Sequence, residues 1–327
     1  MISNENLVES FNQKDFQVIF IVGPTGAGKS KLALNLVKKW GGSIVNADSI
    51  QFYNSLKIGS ASPTVDDQNQ ANHFLYNYIP DNEVMTAGQF QRDFYKLLKE
   101  KKIQNPLYVV GGTGFYIQAL EKGMFDVPEV PQSIKLEILD EMSAQTQNKL
   151  YKELIEFDPD CVIHPNDSYR IGRALELKRA FNIRISSLNK ISGNYKNSLP
   201  FNFMKVGVDF IHQTELDKKN YREQIQNRCY KMLQMGILEE VSDQLRLNHH
   251  NWSALNSVGY FEIKKFLLNE LSWAEVLPAM TLSTIQLIKK QRTWFKKDIH
   301  TNWIYNYEKA SVNHNKIFDA IQDFLNR

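Results

Sequence analysis

A glycine-rich turn between a predicted strand and a predicted helix constrains this chain more than any other feature. The apolar run Val18–Val22 leads into Gly23-Pro-Thr-Gly-Ala-Gly-Lys-Ser30, and an amphipathic stretch covers Lys29–Trp40. The glycines allow backbone N–H groups to converge on phosphate oxygens, and the helix directs its positive end toward them. This pattern predicts a phosphate-binding loop (P-loop), which is typical of nucleotide-binding and ATP-binding sites. Lys29 adds a positive charge, and Ser30 offers a hydroxyl to Mg²⁺.

Strand and helix patterns alternate along the first half of the chain. Predicted strands at Gln17–Val22, Ser43–Ala47 and Leu107–Val110 are separated by helical periodicity, which favours a parallel sheet covered by helices. Residues 128–200 have a helical pattern, in which Asn166 or Asp167 is the expected N-cap of a helix at Ser168–Phe181. After a strand at Met204–Asp209, the pattern predicts one long helix or two abutting helices at Leu216–Leu247 and a further helix at Leu282–Phe295. We therefore expect an α/β fold, in which a P-loop parallel sheet core has helices on both faces. The expected domains are a catalytic core of residues 1–127 and 201–327 with a helical C-terminal part, and a helical insertion domain of residues 128–200.

Composition and charge narrow the class of protein further. No apolar run is long enough to cross a bilayer, and the two cysteines lack metal-ligand spacing and fit a reducing cytoplasm. We expect a cytoplasmic protein with no membrane partner. The net charge is only +3, yet residues 168–190 hold six basic side chains against one acidic one, and residues 281–300 hold five against one. These clusters indicate either a large polyanionic partner or two solvated helix faces.

Polar residues follow two other predicted strands. Asp48 comes directly after the second strand, and ligands of open α/β sheets lie beyond the carboxyl ends of the strands, so Asp48 should face the phosphate loop. It could bind Mg²⁺, act as a general base or cap the next turn. The third strand enters Gly111-Gly-Thr-Gly114 without the carboxylate that kinases usually place there. Thr113 can reach a phosphate or its metal, and the glycines either allow close backbone approach or form a tight turn.

Together, several stretches of the chain resemble the tRNA dimethylallyltransferase (tRNA isopentenyltransferase) family, in the family's order. The resemblance is to its bacterial members, which lack a C-terminal zinc finger. The matching stretches are Gly23–Ser30, Asn46–Tyr53 with Ile58-Gly59, Gly111–Tyr116, His164–Glu176, Arg228 with Met232-Leu233 and Gly236, Val258–Tyr260, and Lys290–Phe295.

The resemblance implies an enzyme of tRNA processing and modification. Such a transferase moves a dimethylallyl group from dimethylallyl diphosphate to N6 of the adenosine at position 37 of tRNA and releases diphosphate. Asp48 would be the general base, with Thr25 and Arg228 also catalytic. Mg²⁺ would bind Ser30 and Thr113. The diphosphate would contact Gly23, Pro24, Thr25, Gly26, Ala27, Gly28, Lys29 and Ser30.

The resemblance also implies which residues contact the anticodon stem-loop of tRNA, with the protein acting as a monomer. The chain departs from the family at Ser62, where a lysine is customary, and at Lys135, where an arginine is expected. It also lacks a customary arginine around Thr284–Gln286. The implied tRNA contacts are Asp48, Ser49, Ile50, Gln51, Thr113, Lys135, Tyr169, Arg170, Ile171, Gly172, Arg173, Gly259, Tyr260, Lys290, Arg292 and Trp294.

Three other functions compete with this interpretation. A small-molecule P-loop kinase would need a metal-binding carboxylate after the third strand and has no use for the basic helical half. A transferase acting on free adenine nucleotides would share the core motifs but would not need the region around Trp294, where aromatic and basic residues alternate. A non-catalytic RNA-binding module would have no use for Lys29, Asp48 and Thr113 together.

Overall fold

The computed structural model describes residues 16–100, 103–123, 130–143, 147–191, 201–210, 214–305 and 312–327. Contacts divide the chain into two compact units. One comprises the described residues of Lys122–Leu199, and the other comprises those of Glu9–Glu121 and Pro200–Arg327. The expected domain boundaries at 127–128 and 200 lie outside the described residues.

The larger unit is built on a sheet whose strand pairs are all parallel among the described residues. The strand order is β3-β2-β4-β1-β5-β6, which confirms the predicted α/β fold class. The strands are β1 Gln17–Val22, β2 Ser43–Asn46, β3 Asn72–Phe74, β4 Leu107–Gly111, β5 Asn202–Asp209 and β6 Asn302–Tyr305. The helices of this unit are α1 Lys29–Trp40, α2 Val65–Gln70, α3 Ala87–Lys99, α4 Gly114–Lys122, α9 Glu215–Met235, α10 Ile237–Arg246, α11 Tyr260–Leu267, α12 Trp273–Phe295 and α13 Val312–Leu325.

Alternation along β1 gives the sheet two apolar faces. Ile19 and Ile21 belong to a buried cluster that also contains Leu32 and Leu36 of α1 and side chains of α13. Phe20 points to the opposite face, since successive strand residues alternate. There its ring lies 5.4 Å from the ring of Phe203 on β5. Helix α3 covers this second face through further aromatic contacts. The sheet is therefore covered on both faces, as the sequence predicted.

The structure decides one alternative that the sequence left open, and other elements differ from the sequence-based expectation. The stretch expected as one long helix or two abutting helices is two, because Gly236 adopts a left-handed conformation (φ 103°) and ends α9. Helix α12 begins at Trp273 and includes Pro278, earlier than the predicted start at Leu282. The short strands β3 and β6 were not predicted.

The smaller unit consists of helices around a separate core. They are α5 Gln132–Ser143, α6 Gln147–Phe157, α7 Ser168–Phe181 and α8 Ile185–Ile191. The side chain of Asp167 accepts a hydrogen bond from the N–H of Arg170, and α7 begins at the next residue, as predicted. Ile171 packs in the core with Leu150 and Leu154.

Ion pairs within this unit use part of the first basic cluster. Arg179 pairs with Glu137, Glu141 and Glu153, and Lys178 also pairs with Glu153. Hydrogen bonds from Arg179 hold the pKa of Glu141 below its usual range. Lys178 and Arg179 therefore form ion pairs within the smaller unit and do not contribute unpaired charge to an exposed basic face.

We predict that Ile171→Ala destabilises the smaller unit by about 2–5 kcal/mol, because it leaves a cavity among Ile138, Leu150 and Leu154. Tyr169→Ala is the control: Tyr169 lies two residues away and is 82% exposed, so its loss should change stability by less than about 0.5 kcal/mol. Urea denaturation followed by circular dichroism measures both. Equal destabilisation by the two variants would contradict this assignment of Ile171 to the core.

Candidate active site

The phosphate loop lies between β1 and α1, so the N–H groups at the start of α1 point toward it. Lys29 Nζ donates to the carbonyl oxygen of Pro24 at 2.9 Å within the loop. Burial lowers the pKa of Lys29 to about 8, while the carboxylates of Asp48 and Asp209 raise it and Arg228 lowers it. These charged side chains from the ends of β2 and β5 and from α9 therefore converge on the phosphate loop.

A buried asparagine holds Asp48 at the end of β2. Asn46 is fully buried, and its Oδ1 accepts from the N–H of Asp48 at 2.7 Å. Its Nδ2 donates to the carbonyl oxygens of Asp48 and Leu75. Asp48 Oδ1 accepts from the N–H of Ile50 at 3.2 Å. Asn46 is not among the residues with a predicted role, although a polar residue at the end of an apolar strand was the available signal.

Thr113 joins the turn after β4 to the segment after β2. Its Oγ1 accepts from the N–H of Ser49 at 3.1 Å and lies 3.3 Å from Ser49 Oγ. Asp48 is close to the same turn, since a Cβ added at Gly112 would lie 3.5 Å from Asp48 Oδ2. The two strand ends that carry the predicted catalytic base and the predicted metal ligand are therefore neighbours.

The glycines after β4 make room for helix α12. A Cβ at Gly112 would lie 2.4 Å from Gln291 Nε2, and a Cβ at Gly114 would lie 2.0 Å from Trp294 Nε1. Gln291 Oε1 accepts from the N–H of Thr25, and Nε2 donates to the carbonyl oxygen of Gly112. We expected these glycines to allow the close approach of a phosphate. The groups that approach them closely are the side chains of Gln291 and Trp294. Gln291 is not among the predicted site residues.

Arg292 is committed to an internal ion pair. Its Nε and its terminal nitrogen donate to the carboxylate of Asp209 at 2.7–2.9 Å, and its guanidinium lies over the ring of Tyr221. The Arg292 side chain is 18% exposed and that of Asp209 is 2% exposed. In this geometry the guanidinium fork of Arg292 faces Asp209, and the tRNA contact expected of Arg292 stays a prediction.

Tyr260 is an internal anchor rather than a surface residue. It is fully buried, its hydroxyl donates to Glu240 Oε2 at 2.9 Å, and the same hydroxyl accepts from the N–H of Ser60. Glu240 also accepts from the N–H groups of Lys57, Ile58 and Gly59. Burial, together with Glu240, raises the pKa of Tyr260, which keeps its hydroxyl protonated.

Anchoring by Tyr260 and Glu240 extends toward Asp48. Gln51 Nε2 donates to the carbonyl oxygens of Ser60 and Ala61, so the anchored segment also fixes the chain that follows Asp48. Tyr260 and the neighbouring Gly259 are both buried, and the tRNA contacts expected of them stay predictions.

Other predicted tRNA contacts lie in the smaller unit and differ in exposure. Tyr169 is 82% exposed, Arg170 is exposed beside Asp167, and Arg173 pairs with Glu176. Ile171 and Gly172 are buried, and their expected contact with tRNA stays a prediction. In the larger unit Lys290 is exposed and Trp294 is 41% exposed.

The part of the chain that the structure describes has neither a cluster of metal-ligating side chains nor a membrane-spanning helix. No group of three or more His, Cys, Asp or Glu side chains there is arranged to hold a metal ion. No helix there has the length and apolar character needed to cross a membrane. Ser30 at the start of α1 is exposed and offers a hydroxyl oxygen beside the loop.

The fold and the site define an α/β protein with a parallel sheet, in which the charges of Lys29, Asp48 and Arg228 influence one another beside the glycine-rich loop after β1. The family model described as IPP transferase matches residues 51–298. The tRNA dimethylallyltransferase of Bdellovibrio bacteriovorus is 39% identical over 289 residues, which cover 88% of this chain and 92% of that protein. The chain therefore belongs to the IPP transferase family, which confirms the resemblance seen in its motifs.

Solved structures agree with this assignment. The tRNA delta(2)-isopentenylpyrophosphate transferase of Staphylococcus epidermidis is 25% identical with a TM-score of 0.64, covering 95% of this chain and 99% of its own. A eukaryotic dimethylallyltransferase acting on tRNA shares the fold with a TM-score of 0.73 at 22% identity, covering 94% of this chain and 79% of its own.

We predict that Tyr260→Phe destabilises the larger unit by about 1–3 kcal/mol, because it leaves the N–H of Ser60 without its buried acceptor and Glu240 without one donor. Phe261→Leu is the matched control, since the neighbouring Phe261 is 38% exposed. Thermal unfolding by calorimetry compares the two. A melting temperature lowered no further in Tyr260→Phe than in the control would contradict the anchoring role.

Proposed function

We propose that this protein transfers the dimethylallyl group of dimethylallyl diphosphate to N6 of the adenosine at position 37 of tRNA. The grouping of Lys29, Asp48 and Arg228 beside the phosphate loop carries this proposal, because it combines cationic groups for a leaving diphosphate with a carboxylate for a proton. Membership of the IPP transferase family, with relatives named tRNA dimethylallyltransferase, supports the choice of donor and acceptor.

The donor diphosphate would bind Gly23–Ser30. As the carbon–oxygen bond breaks, its electron pair goes to the diphosphate, and Lys29 and Arg228 stabilise the growing negative charge. Burial lowers the pKa of Arg228, and the Asp48 carboxylate opposes that shift. The N–H of Thr25 already donates to Gln291, so Thr25 would contact the donor through its hydroxyl.

Mg²⁺ fits this site only together with the donor. The ion is usually held by few protein ligands plus phosphate oxygens, and Ser30 offers an exposed hydroxyl beside the loop. Thr113 Oγ1 already accepts from Ser49, so it could supply only its remaining lone pair. When bound, the ion would neutralise charge on the diphosphate.

Asp48 would receive the proton of the acceptor amine. The N6 lone pair attacks the first carbon of the dimethylallyl group, and the amine becomes acidic as the nitrogen–carbon bond forms. The N6 proton then passes to the Asp48 carboxylate, which the Asn46 and Ile50 contacts hold in place. A base stacked in the anticodon loop cannot reach such a site, so the adenosine would be flipped out of the loop.

The exposed subset of the expected residues would contact tRNA. Lys290 and Trp294 in the larger unit, and Tyr169 and Arg170 in the smaller one, combine basic and aromatic side chains. In this proposal the smaller unit and the C-terminal helices both bind RNA. A tRNA acceptor also favours the cytoplasm, and the monomeric state stays a prediction.

Incubation of the protein with dimethylallyl diphosphate, Mg²⁺ and an anticodon stem-loop RNA should add one dimethylallyl group to adenosine. Digestion to nucleosides and mass spectrometry detect the product. Asp48→Asn should lower kcat by about 10²–10⁴-fold, which is the usual contribution of a general base, while RNA binding is kept. Asp66→Asn is the control, because Asp66 is exposed in α2. Unmodified RNA with the native protein would refute the proposal, and full turnover by Asp48→Asn would refute the role of Asp48.

Lys290 and Arg292 should respond differently to substitution, although both belong to the same basic cluster. Lys290→Ala should reduce the slope of log Kd against log salt for tRNA by about one, because it removes one phosphate contact. Arg292→Ala should instead destabilise the protein by about 3–5 kcal/mol, because it leaves Asp209 buried without its partner. Filter binding at several salt concentrations and urea denaturation measure the two effects.

The variant Arg292→Lys serves as the second arm of this comparison, because it keeps the positive charge but loses the bidentate fork. It should remain less stable than the native protein while its salt slope stays unchanged. An unaltered slope in Lys290→Ala would contradict the RNA contact. A reduced slope in folded Arg292→Lys would contradict the assignment of Arg292 to the internal ion pair.

A further inference from the structure

One buried amide lies between the phosphate loop and the turn that follows β4. Gln291 is 9% exposed, and its Oε1 accepts from the N–H of Thr25 at 2.9 Å. Its Nε2 donates to the carbonyl oxygen of Gly112 at 3.0 Å. A single side chain of α12 therefore bridges two loops that are otherwise attached to different strands.

The chemistry of the bridge requires a glutamine amide. It needs one acceptor for an N–H group and one donor for a carbonyl oxygen, and the amide offers both at one end of the side chain. A glutamate would place a negative charge against the carbonyl oxygen of Gly112 and beside the phosphate loop. An apolar residue would leave two backbone groups without partners, and each such buried group carries a desolvation penalty.

The bridge also reaches the predicted catalytic base. From Gly112 the chain continues to Thr113, whose hydroxyl accepts from the N–H of Ser49 next to Asp48. A continuous series of contacts thus connects the phosphate loop with the segment that carries Asp48. It runs through Thr25, Gln291, Gly112, Thr113 and Ser49.

We propose that Gln291 is a positioning residue that sets the geometry between the diphosphate-binding loop and Asp48. The inference rests on the proposed transfer reaction. Gln291 would not contact the reacting atoms. It would hold the phosphate loop at a fixed distance and orientation relative to Asp48. The first carbon of the donor would then lie where the acceptor nitrogen, whose proton Asp48 receives, can attack it.

The experiment compares Gln291→Ala and Gln291→Glu with the native protein. Loss of the bridge should lower kcat by about a hundredfold, the size of effect that a displacement of about 1 Å has on a reacting pair. It should weaken the binding of inorganic diphosphate, measured by titration calorimetry, by about tenfold. The Kd for tRNA should not change, because Gln291 is buried and faces the loops.

A substitution on the partner side tests whether the effect passes through Gly112. In Gly112→Ala the new methyl group would lie 2.4 Å from Gln291 Nε2, so the amide must move away. This variant should lose kcat as Gln291→Ala does, and the double variant should be no worse than either single one. Additive losses would show that the two positions act separately and would overturn the proposed bridge.

Gln244→Ala is the matched structural control. Gln244 is a buried glutamine that donates to Ser55 and Asp81, away from the phosphate loop, so its loss should lower stability without changing kcat or diphosphate affinity. If Gln291→Ala lowers only the melting temperature, as this control does, the positioning role is refuted.

The two proposals fail in different ways. If the native protein transfers no dimethylallyl group, the proposed function fails, and the loss of diphosphate binding in Gln291→Ala still tests the bridge. If the native protein is active and Gln291→Ala keeps both its kcat and its diphosphate affinity, only the bridge fails.

Discussion

The last turns of α12 pack across the carboxyl ends of three parallel strands, and the arrangement of the site depends on this contact. Gln291 bonds to the loop after β1 and to the turn after β4, while Arg292 pairs with Asp209 at the end of β5. Parallel strands leave their ends side by side without joining them. Helix α12 supplies the missing connections. It fixes the positions of the phosphate loop, the turn after β4 and the Arg292–Asp209 ion pair relative to one another.

Contacts inside the protein explain several motif residues that the sequence assigned to ligands. A side chain at Gly112 or Gly114 would clash with α12, and outside α12 the hydroxyl of Tyr260 is the buried partner of Glu240. A motif that marks a family therefore contains residues of two kinds. Some residues are proposed to face the reactants, as Lys29 and Asp48 do. Others hold those residues in position.

Prediction from sequence succeeded where the signal was local. The apolar run at β1, the glycines of the phosphate loop and the capping residues before Ser168 each specify structure within a few residues. Strand β1 and the start of α7 lie where they were expected, and Asp167 is the N-cap of the two candidates Asn166 and Asp167. Strands β3 and β6 contain only Asn72–Phe74 and Asn302–Tyr305, too few residues for alternation to stand out. The placement of Asp48 beside the phosphate loop was also predictable, because it follows from the rule for strand ends.

The sequence by itself determined the α/β fold, the phosphate loop and the family, because these depend on periodicity and on residue types at short spacing. It could not determine which residues of a basic or aromatic motif are exposed. Arg292 and Tyr260 are turned inward by partners far along the chain, Asp209 and Glu240, and the Gln291 amide bonds to a residue 266 positions away. Only the tertiary structure decided these roles, because burial and partner geometry arise when distant segments pack together.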